Sequence, residues 1–487
     1  MGALVAVVCK KGGDAAATAS AMLEALKVRS VEAYGIASPS VVEIEKSIER
    51  FQNQISSSII IGYAFSRILN RDRPQPLRLE DAVVVFDGRV FPSNQRICDA
   101  EAFVRKVSRN RERSIQTFIK ETEGDFAFAI AEPERLIVGR DALGVRPLYY
   151  GENQDFVGLA SEQTPLWKIG IDHVHPFPPG HLALVDRQGF KFSLAKRLPD
   201  LKRKQVTMKA ASQRLRILLE RTVRERVSGL KKVAVAFSGG LDSSVVAFLA
   251  KKSGVDVELV HVSLKNQSET EHAKKMADEL KLPVHSYSYT EEDVLEDLPT
   301  VLCLIEEPDP VKTSIGIPFY WAAEKSTELA IRVMLAGQGA DELFGGYRRY
   351  VDAYLRKGGE KTQETIYRDV ANMHRINFER DFKICNFHGV EMRLPYATYE
   401  MAKLAVELPI EVKLQPSDTT LRKLVLRETA RNLGLPRAIT DRPKKALQYA
   451  TGVSATLKKI ALKNHLPLNE YLRQVFYSAT KRMVFYD

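Results

Sequence analysis

The chain has 487 residues, 45% of them hydrophobic and 27% charged, with a net charge of +11 from 72 basic and 61 acidic side chains. A chain of this length and globular composition holds two or more domains that each bury a core, and no stretch is long and apolar enough to span a bilayer. The basic balance attracts polyanions such as ATP or RNA, although it also fits an ordinary solvated surface. Cys9, Cys98, Cys303 and Cys385 are scattered with no CxxC pair, which argues for reduced thiols and against a structural zinc. The start, Met1-Gly2-Ala3-Leu4-Val5-Ala6, lacks a basic leader, a cleavage site and the Ser/Thr of a myristoylation motif, so no signal peptide is expected, and the reduced thiols point to a cytoplasm.

In chain order, the first half shows short apolar runs between turns. Strands are predicted at 4–9, 58–61, 82–86, 126–131, 136–138 and 181–185, with helices near 15–27 and 100–107. This pattern reads as stacked β-sheets with covering helices. The basic, irregular stretch 196–204 marks a boundary. Beyond it, strands at 233–237, 257–262, 284–289 and 333–336 alternate with helices such as 269–280, which predicts a parallel sheet with helices on both faces. From about residue 351 the pattern is mainly helical.

Two loops at strand ends carry the chemistry. Ser238-Gly239-Gly240-Leu241-Asp242-Ser243-Ser244 lies between the 233–237 strand and a helix-like run. Glycines permit close backbone approach, and helix N-terminal N–H groups and serine hydroxyls favour an anion. Asp242 beside phosphate calls for a divalent cation between them. The loop is not a Walker A sequence. The competing reading is a Ser/Gly turn. Gly337-Gln338-Gly339-Ala340-Asp341-Glu342-Leu343-Phe344-Gly345-Gly346-Tyr347 follows the 333–336 strand, so Asp341 and Asp242 form a candidate Mg²⁺ pair.

The first loop resembles the pyrophosphate loop of the N-type ATP pyrophosphatases. Together with GQGADELFGGY it resembles the synthetase domain of the asparagine synthetase family. Further resemblances are Glu306-Glu307-Pro308-Asp309, Arg380-Asp381, His388 through Tyr396, Leu421-Arg422-Lys423 and Arg442-Pro443-Lys444-Lys445. The resemblance spans nearly the whole chain. It implies an adenine nucleotide α-hydrolase-like α/β domain over 206–487 with a helical C-terminal part. ATP and pyrophosphate would be bound by Ser238, Gly239, Gly240, Leu241, Asp242, Ser243, Val262, Gly337 and Gly339. The substrate would be bound by Asp309, Glu342 and Arg380, and Lys444, with Lys445 as the alternative, would supply a catalytic cation. Gln338 departs from the family's GEGSDE version, whose Glu assists proton removal from ammonia. Glutamine is no base, so Glu306, a water or the AMP oxygens would take that proton.

In the first half, Arg140 through Gly151 (RDALGVRPLYYG), Gly124 through Ile130, Ala160-Ser161-Glu162 and Phe177-Pro178-Pro179-Gly180-His181 resemble class II glutamine amidotransferases. They imply an Ntn-hydrolase αββα domain over 1–195. Its nucleophile is an N-terminal cysteine whose α-amine acts as base. Gly2 stands at that position, and Cys9 is no replacement. Phe65 of Gly62-Tyr63-Ala64-Phe65 replaces an Arg that grips the glutamine carboxylate, and Asp87 replaces the oxyanion-hole Asn. The expectation is therefore a domain without glutaminase activity.

The function expected is an AMP-forming ligase that adenylates a carboxylate, best read as the β-carboxylate of aspartate, and transfers it to ammonia that is free or supplied by a partner. A β-lactam synthetase-like ring closure is the alternative, although the Tyr of that family's loop is not here. A tRNA-modifying pyrophosphatase is a third reading; it finds no CxxC and no RNA module to support it. Nucleic acid and membrane are not expected partners, and the family's homodimers are an expectation for this chain.

Overall fold

The computed structural model describes residues 2–51, 55–94, 96–107, 110–201, 205–415, 421–443 and 451–484. The chain forms two compact units. One comprises the residues up to Arg197 with Asn386–Glu391, the other Leu198–Cys385 with Met392–Thr480.

The first unit is built on two antiparallel sheets. Among the described residues one sheet contains β1 (Gly2–Cys9), β2 (Ala33–Ala37), β3 (Val42–Glu45) and β4 (Ile59–Phe65), and extends through later strands at Tyr149–Glu152, Phe156–Ala160 and His175–Pro176. The other contains β5 (Leu77–Leu79), β6 (Ala82–Phe91), β7 (Glu123–Ala131) and β8 (Leu136–Arg140), followed by His181–Asp186 and Gly189–Leu194. Successive strand residues face opposite sides, and here both sides are covered. On β1, Leu4, Ala6 and Val8 join Val83, Val85, Ala127 and Ala129 in the layer between the sheets. Val5, Val7 and Cys9 turn outward onto Ala19, Met22 and Leu23 of α1 (Ala16–Glu24). Across the second sheet, Val84, Phe86 and Phe128 pack on Phe103 of α2 (Asp99–Val104) and Phe118 of α3 (Arg111–Glu121). The result is the αββα sandwich that the sequence implied. Each buried Val, Leu or Phe contributes roughly 1.5–3 kcal/mol.

Several strands run further than the apolar runs suggested. The 82–86 run continues to Phe91 because Asp87, Gly88 and Arg89 pair with Ala127, Phe126 and Asp125 of β7. The buried Arg89 is compensated by Asp72 at 2.6 Å and Asp99 at 3.0 Å. The 58–61 run likewise continues through Gly62 to Phe65. β2, β3 and the strands at Tyr149–Glu152, Phe156–Ala160 and Gly189–Leu194 are not among the expected strands; a glycine interrupts the apolar runs Ala33–Ala37 and Phe156–Ala160, and the others mix in polar residues.

The second unit carries a five-stranded sheet among the described residues. In chain order its strands are β14 (Lys232–Ala236), β15 (Asp256–Leu264), β16 (Val284–Tyr289), β17 (Val333–Leu335) and β18 (Glu391–Arg393), arranged 16-15-14-17-18 when β9 to β13 denote the five later strands of the first unit. The pairings of β14 with β15, of β15 with β16 and of β14 with β17 are parallel. The chain runs outward from β14 to β16, then returns to β17 on the other side of β14. This reversal opens a crevice at the carboxyl ends of β14 and β17, where α/β sheets bind ligands. The remainder is mainly helical, as expected. All four cysteines are buried, and none is in a disulfide. No helix among the described residues is long and apolar enough to cross a membrane.

Candidate active site

Val235 of β14 pairs with Leu335 of β17, so the loops that leave these strands lie side by side. The first loop enters the helix Leu241–Lys252 through Gly240, which has no side-chain cap, leaving helix N–H groups for an anion. Gly239 has φ +69°, and a Cβ there would come within 2.9 Å of the Ala273 backbone. Ser238 and Ser243 brace the turn: Gly240 N donates to Ser238 Oγ at 3.3 Å, and Ser243 Oγ donates to Gly240 O at 3.3 Å. The second loop enters the short helix Ala340–Phe344 through Gly339 at φ +91°. Gly337 allows the two loops to touch, because a Cβ on it would lie 2.8 Å from Asp242 Cβ.

Asp242 and Asp341 meet on one ammonium. Lys423 Nζ lies 2.5 Å from Asp242 Oδ2 and 2.6 Å from Asp341 Oδ1, and the lysine side chain is only 3% exposed. Lys423 itself has left-handed backbone, φ +59°, immediately before the helix Leu424–Leu433. Burial alone would lower its pKa, but the two carboxylates outweigh burial and hold it above the ordinary lysine value. Gly346 makes the cluster sterically feasible: a Cβ there would overlap Asp341 Oδ1 and Lys423 Cε.

A cavity opens beside this cluster. Ser238, Gly240, Leu241, Asp242, Ser243, Val262, Gly337, Gln338 and Asp341 line it, all singled out from the sequence. Gly239 and Gly339 shape its loops without lining it. Lys423, Arg427, Arg442, His261 and Glu269 also contribute to the wall. Arg442 Nη2 donates to Glu269 Oε2 at 2.7 Å. His261 Nδ1 is 2.9 Å from the Phe237 carbonyl, and burial pulls the imidazole below its usual pKa.

The other candidates fall elsewhere in the same unit. Glu306 is a buried partner of Lys383 at 2.9 Å and does not line the cavity. Asp309 caps the helix Pro310–Glu328, accepting from Lys312 N at 2.7 Å. Glu342 accepts from Tyr347 Oη at 2.5 Å and Asn377 Nδ2 at 2.7 Å. Arg380 holds Asp381, with Nε 2.6 Å from Oδ1, and Gln338 Nε2 donates to Asp381 Oδ2 at 2.6 Å. Burial raises the Asp381 pKa and Arg380 pulls it back, leaving it above the usual carboxylate value. Lys444 and Lys445 lie outside the described residues. Sequence reasoning gave no role to Lys423, Arg427, Arg442 or Asp381. Lys423 is 181 residues from Asp242, and only the LRK triplet could have drawn attention to it.

The chemistry of this donor set suits a nucleotide and a divalent ion. Asp242 Oδ1 is buried with no hydrogen-bond partner. Among the described residues no group of three or more His, Cys, Asp or Glu could hold a metal. Mg²⁺, however, commonly uses one or two carboxylates and completes its shell with phosphate oxygens and water, which is what Asp242 and Asp341 offer.

In the first unit Gly2, Phe65 and Asp87 come together around Tyr63. Gly2 pairs with Phe65 across β1 and β4. A Cβ on Gly2 would overlap the Ala64 carbonyl and come within 2.6 Å of the Tyr63 ring. Tyr63 and Phe65 are buried, and Tyr63 Oη donates to Asp87 Oδ1 at 3.2 Å. Burial and the adjacent Asp87 hold the phenol well above its usual pKa. Arg146 Nη1 stands 3.9 Å from Asp87 Oδ2.

Residues 214–362 and 355–483 match the family model described as asparagine synthase, more than half the chain. The chain belongs to the asparagine synthase family. It is accordingly a carbon–nitrogen ligase that uses ATP. Residues 66–168 match the model of a glutamine amidotransferase domain. A putative glutamine-hydrolysing asparagine synthetase of Methanocaldococcus jannaschii is 28% identical, over 88% of this chain and 89% of the relative. The glutamine-hydrolysing asparagine synthetase of Brassica oleracea is 28% identical over 69% of this chain, which spans 59% of that longer relative. A solved Bacillus subtilis glutamine phosphoribosylpyrophosphate amidotransferase aligns at 16% identity and TM-score 0.35, over 58% of this chain and 80% of that one.

Proposed function

We propose that residues 206–487 form a synthetase domain that adenylates the β-carboxylate of aspartate and passes it to ammonia, and that residues 1–195 form an amidotransferase-like domain without glutaminase activity. The observation that carries the ligase reading is the Asp242–Lys423–Asp341 cluster at the joined ends of β14 and β17. In this reading the Ser238–Gly240 turn and the N-terminus of the following helix receive the phosphates. Asp242 and Asp341 hold Mg²⁺, which would neutralise charge developing on the phosphoryl oxygens. Lys423 supports these carboxylates, and Lys444 remains the proposed second cation. Aspartate is favoured by the names of the relatives.

The absence of glutaminase activity is supported by packing. The space a nucleophile's side chain would need at position 2 is taken by Tyr63, Phe65 offers no clamp for a carboxylate, and Asp87 accepts hydrogen bonds where an oxyanion needs donors. Ammonia would then come from solution or a partner. A cytoplasmic location and a homodimer belong to the same proposal. The test is pyrophosphate and AMP formation from ATP, Mg²⁺ and aspartate, with ammonium chloride or with glutamine, and identification of products by mass. Asparagine from ammonium but not from glutamine is the expected result. Asparagine from glutamine would overturn the reading of the first domain, and no turnover of aspartate would move the search to other carboxylates, including a β-amino acid that closes on itself.

A further inference from the structure

The cavity wall at Gln338 is backed by buried charge. The helix Glu379–Phe387 follows a π-helical stretch, His374–Phe378, a wider turn often found at functional sites. On that helix Arg380, Asp381 and Lys383 are 2%, 0% and 5% exposed. Arg380 neutralises Asp381, and Lys383 neutralises Glu306, so neither pair leaves a net charge. Asp381 Oδ2 also accepts from Gln338 Nε2 at 2.6 Å. A carboxylate flanked by Arg380 can only accept, so the NH₂ end of Gln338 must face it and Oε1 must face away. Gln338 lines the cavity and is half-buried, and no described side chain or backbone group donates to Oε1.

We infer that Asp381 is a positioning residue that orients Gln338 so that its Oε1 offers the cavity an uncharged acceptor for an N–H of the incoming nitrogen. This rests on the ligase reading above. In the step concerned, nitrogen forms a bond to the acyl carbon, the bond from that carbon to the AMP phosphate oxygen breaks, and its electron pair leaves with AMP. The surplus proton on nitrogen goes to a phosphate oxygen of AMP, because the Gln338 amide cannot take it. A carboxylate at position 338 would instead stand against Asp381 as a like charge.

The experiment uses the full chain and reads two half-reactions: aspartate-dependent exchange of labelled pyrophosphate into ATP for adenylation, and amide formation at varied total ammonia for transfer. In the Gln338→Glu variant amide transfer is expected to fall ~30-fold or more. The reciprocal pair Q338E/D381N restores a donor opposite the new carboxylate and is expected to regain at least ~tenfold of the lost transfer. Its pH profile should also flatten, whereas wild-type transfer should follow the neutral fraction of ammonia. If Q338E also loses exchange, Asp381→Asn decides, with an expected ~tenfold rise in KM for ammonia and exchange retained. Transfer by Q338E at the wild-type rate, a reciprocal pair no better than Q338E, or an unchanged ammonia KM in D381N overturns the inference. Wild-type protein that shows no exchange with any carboxylate removes the ligase reading itself.

Discussion

Lys423→Met tests the central cluster. The ammonium is the shared counter-charge of Asp242 and Asp341, at 2.5 and 2.6 Å. Removing one partner of a buried pair costs ~3–5 kcal/mol. Two such contacts do not double the loss, because the abandoned carboxylates can share a proton. For a domain of this size the loss corresponds to a fall in Tm of roughly 10 °C. The pKa of Lys423 is raised in the folded state. Its stabilising contribution is therefore fully present below the unfolded lysine pKa and is lost only as pH rises through the folded value. The deficit of the variant should be level through neutral pH and close in strong alkali. Magnesium chloride without nucleotide should recover more of the Tm in the variant than in wild type, since the ion meets two carboxylates released from their ammonium. Pyrophosphate formation should drop by about 10²–10³-fold. Scanning calorimetry with and without Mg²⁺, paired with a pyrophosphate assay, gives both readings. A variant that melts within ~2 °C of wild type and forms pyrophosphate at the same rate refutes the assignment.

Three further substitutions probe other packing arguments. Gly346→Ala should cost ~1–3 kcal/mol and depress pyrophosphate formation, because a Cβ there overlaps both Asp341 and Lys423; chemical denaturation and the same assay check it, and an alanine variant of normal stability and activity contradicts the crowding. Gly2→Cys should release no glutamate from glutamine and should itself lose ~1–3 kcal/mol, since Tyr63 fills the space required; measurable glutamate would show that the site can reopen. Lys413 is fully buried, its Nζ has no hydrogen-bond partner, and burial pulls its pKa down to about 7. The unfolded chain therefore binds the extra proton between about pH 7 and the ordinary lysine pKa, and wild-type stability should rise with pH across that window. Lys413→Met should stabilise the protein at neutral pH by roughly 1–4 kcal/mol and remove that slope; urea titrations that show equal or lower stability for the variant at pH 7, or a rise from pH 7 to pH 10 as steep as that of wild type, would count against it.

The two loops were legible because their chemistry is local. Glycines at 239, 240, 337 and 339, serines at 238 and 243, and carboxylates at 242 and 341 each announce a phosphate- or metal-facing turn after a strand. Alternation of strands and helices determined the parallel sheet, and the apolar runs determined the sandwich, though not the strands whose polar residues are compensated by distant partners, such as Arg89 by Asp72. Period-two patterning cannot register a charge buried in an ion pair. What only tertiary structure decided is which isolated charges meet. It brought Lys423 onto Asp242 across 181 residues, turned Glu306, Asp309 and Glu342 to buried pairing and capping, and tied Gln338 to Asp381. It also showed why a glycine fits position 2 in this fold: the Ala64 carbonyl and the Tyr63 ring of the opposing strand occupy the volume that a side chain there would need. Motifs record the backbone conformations that a site demands, whereas its charge balance is set by side chains that reach it from elements far apart in sequence.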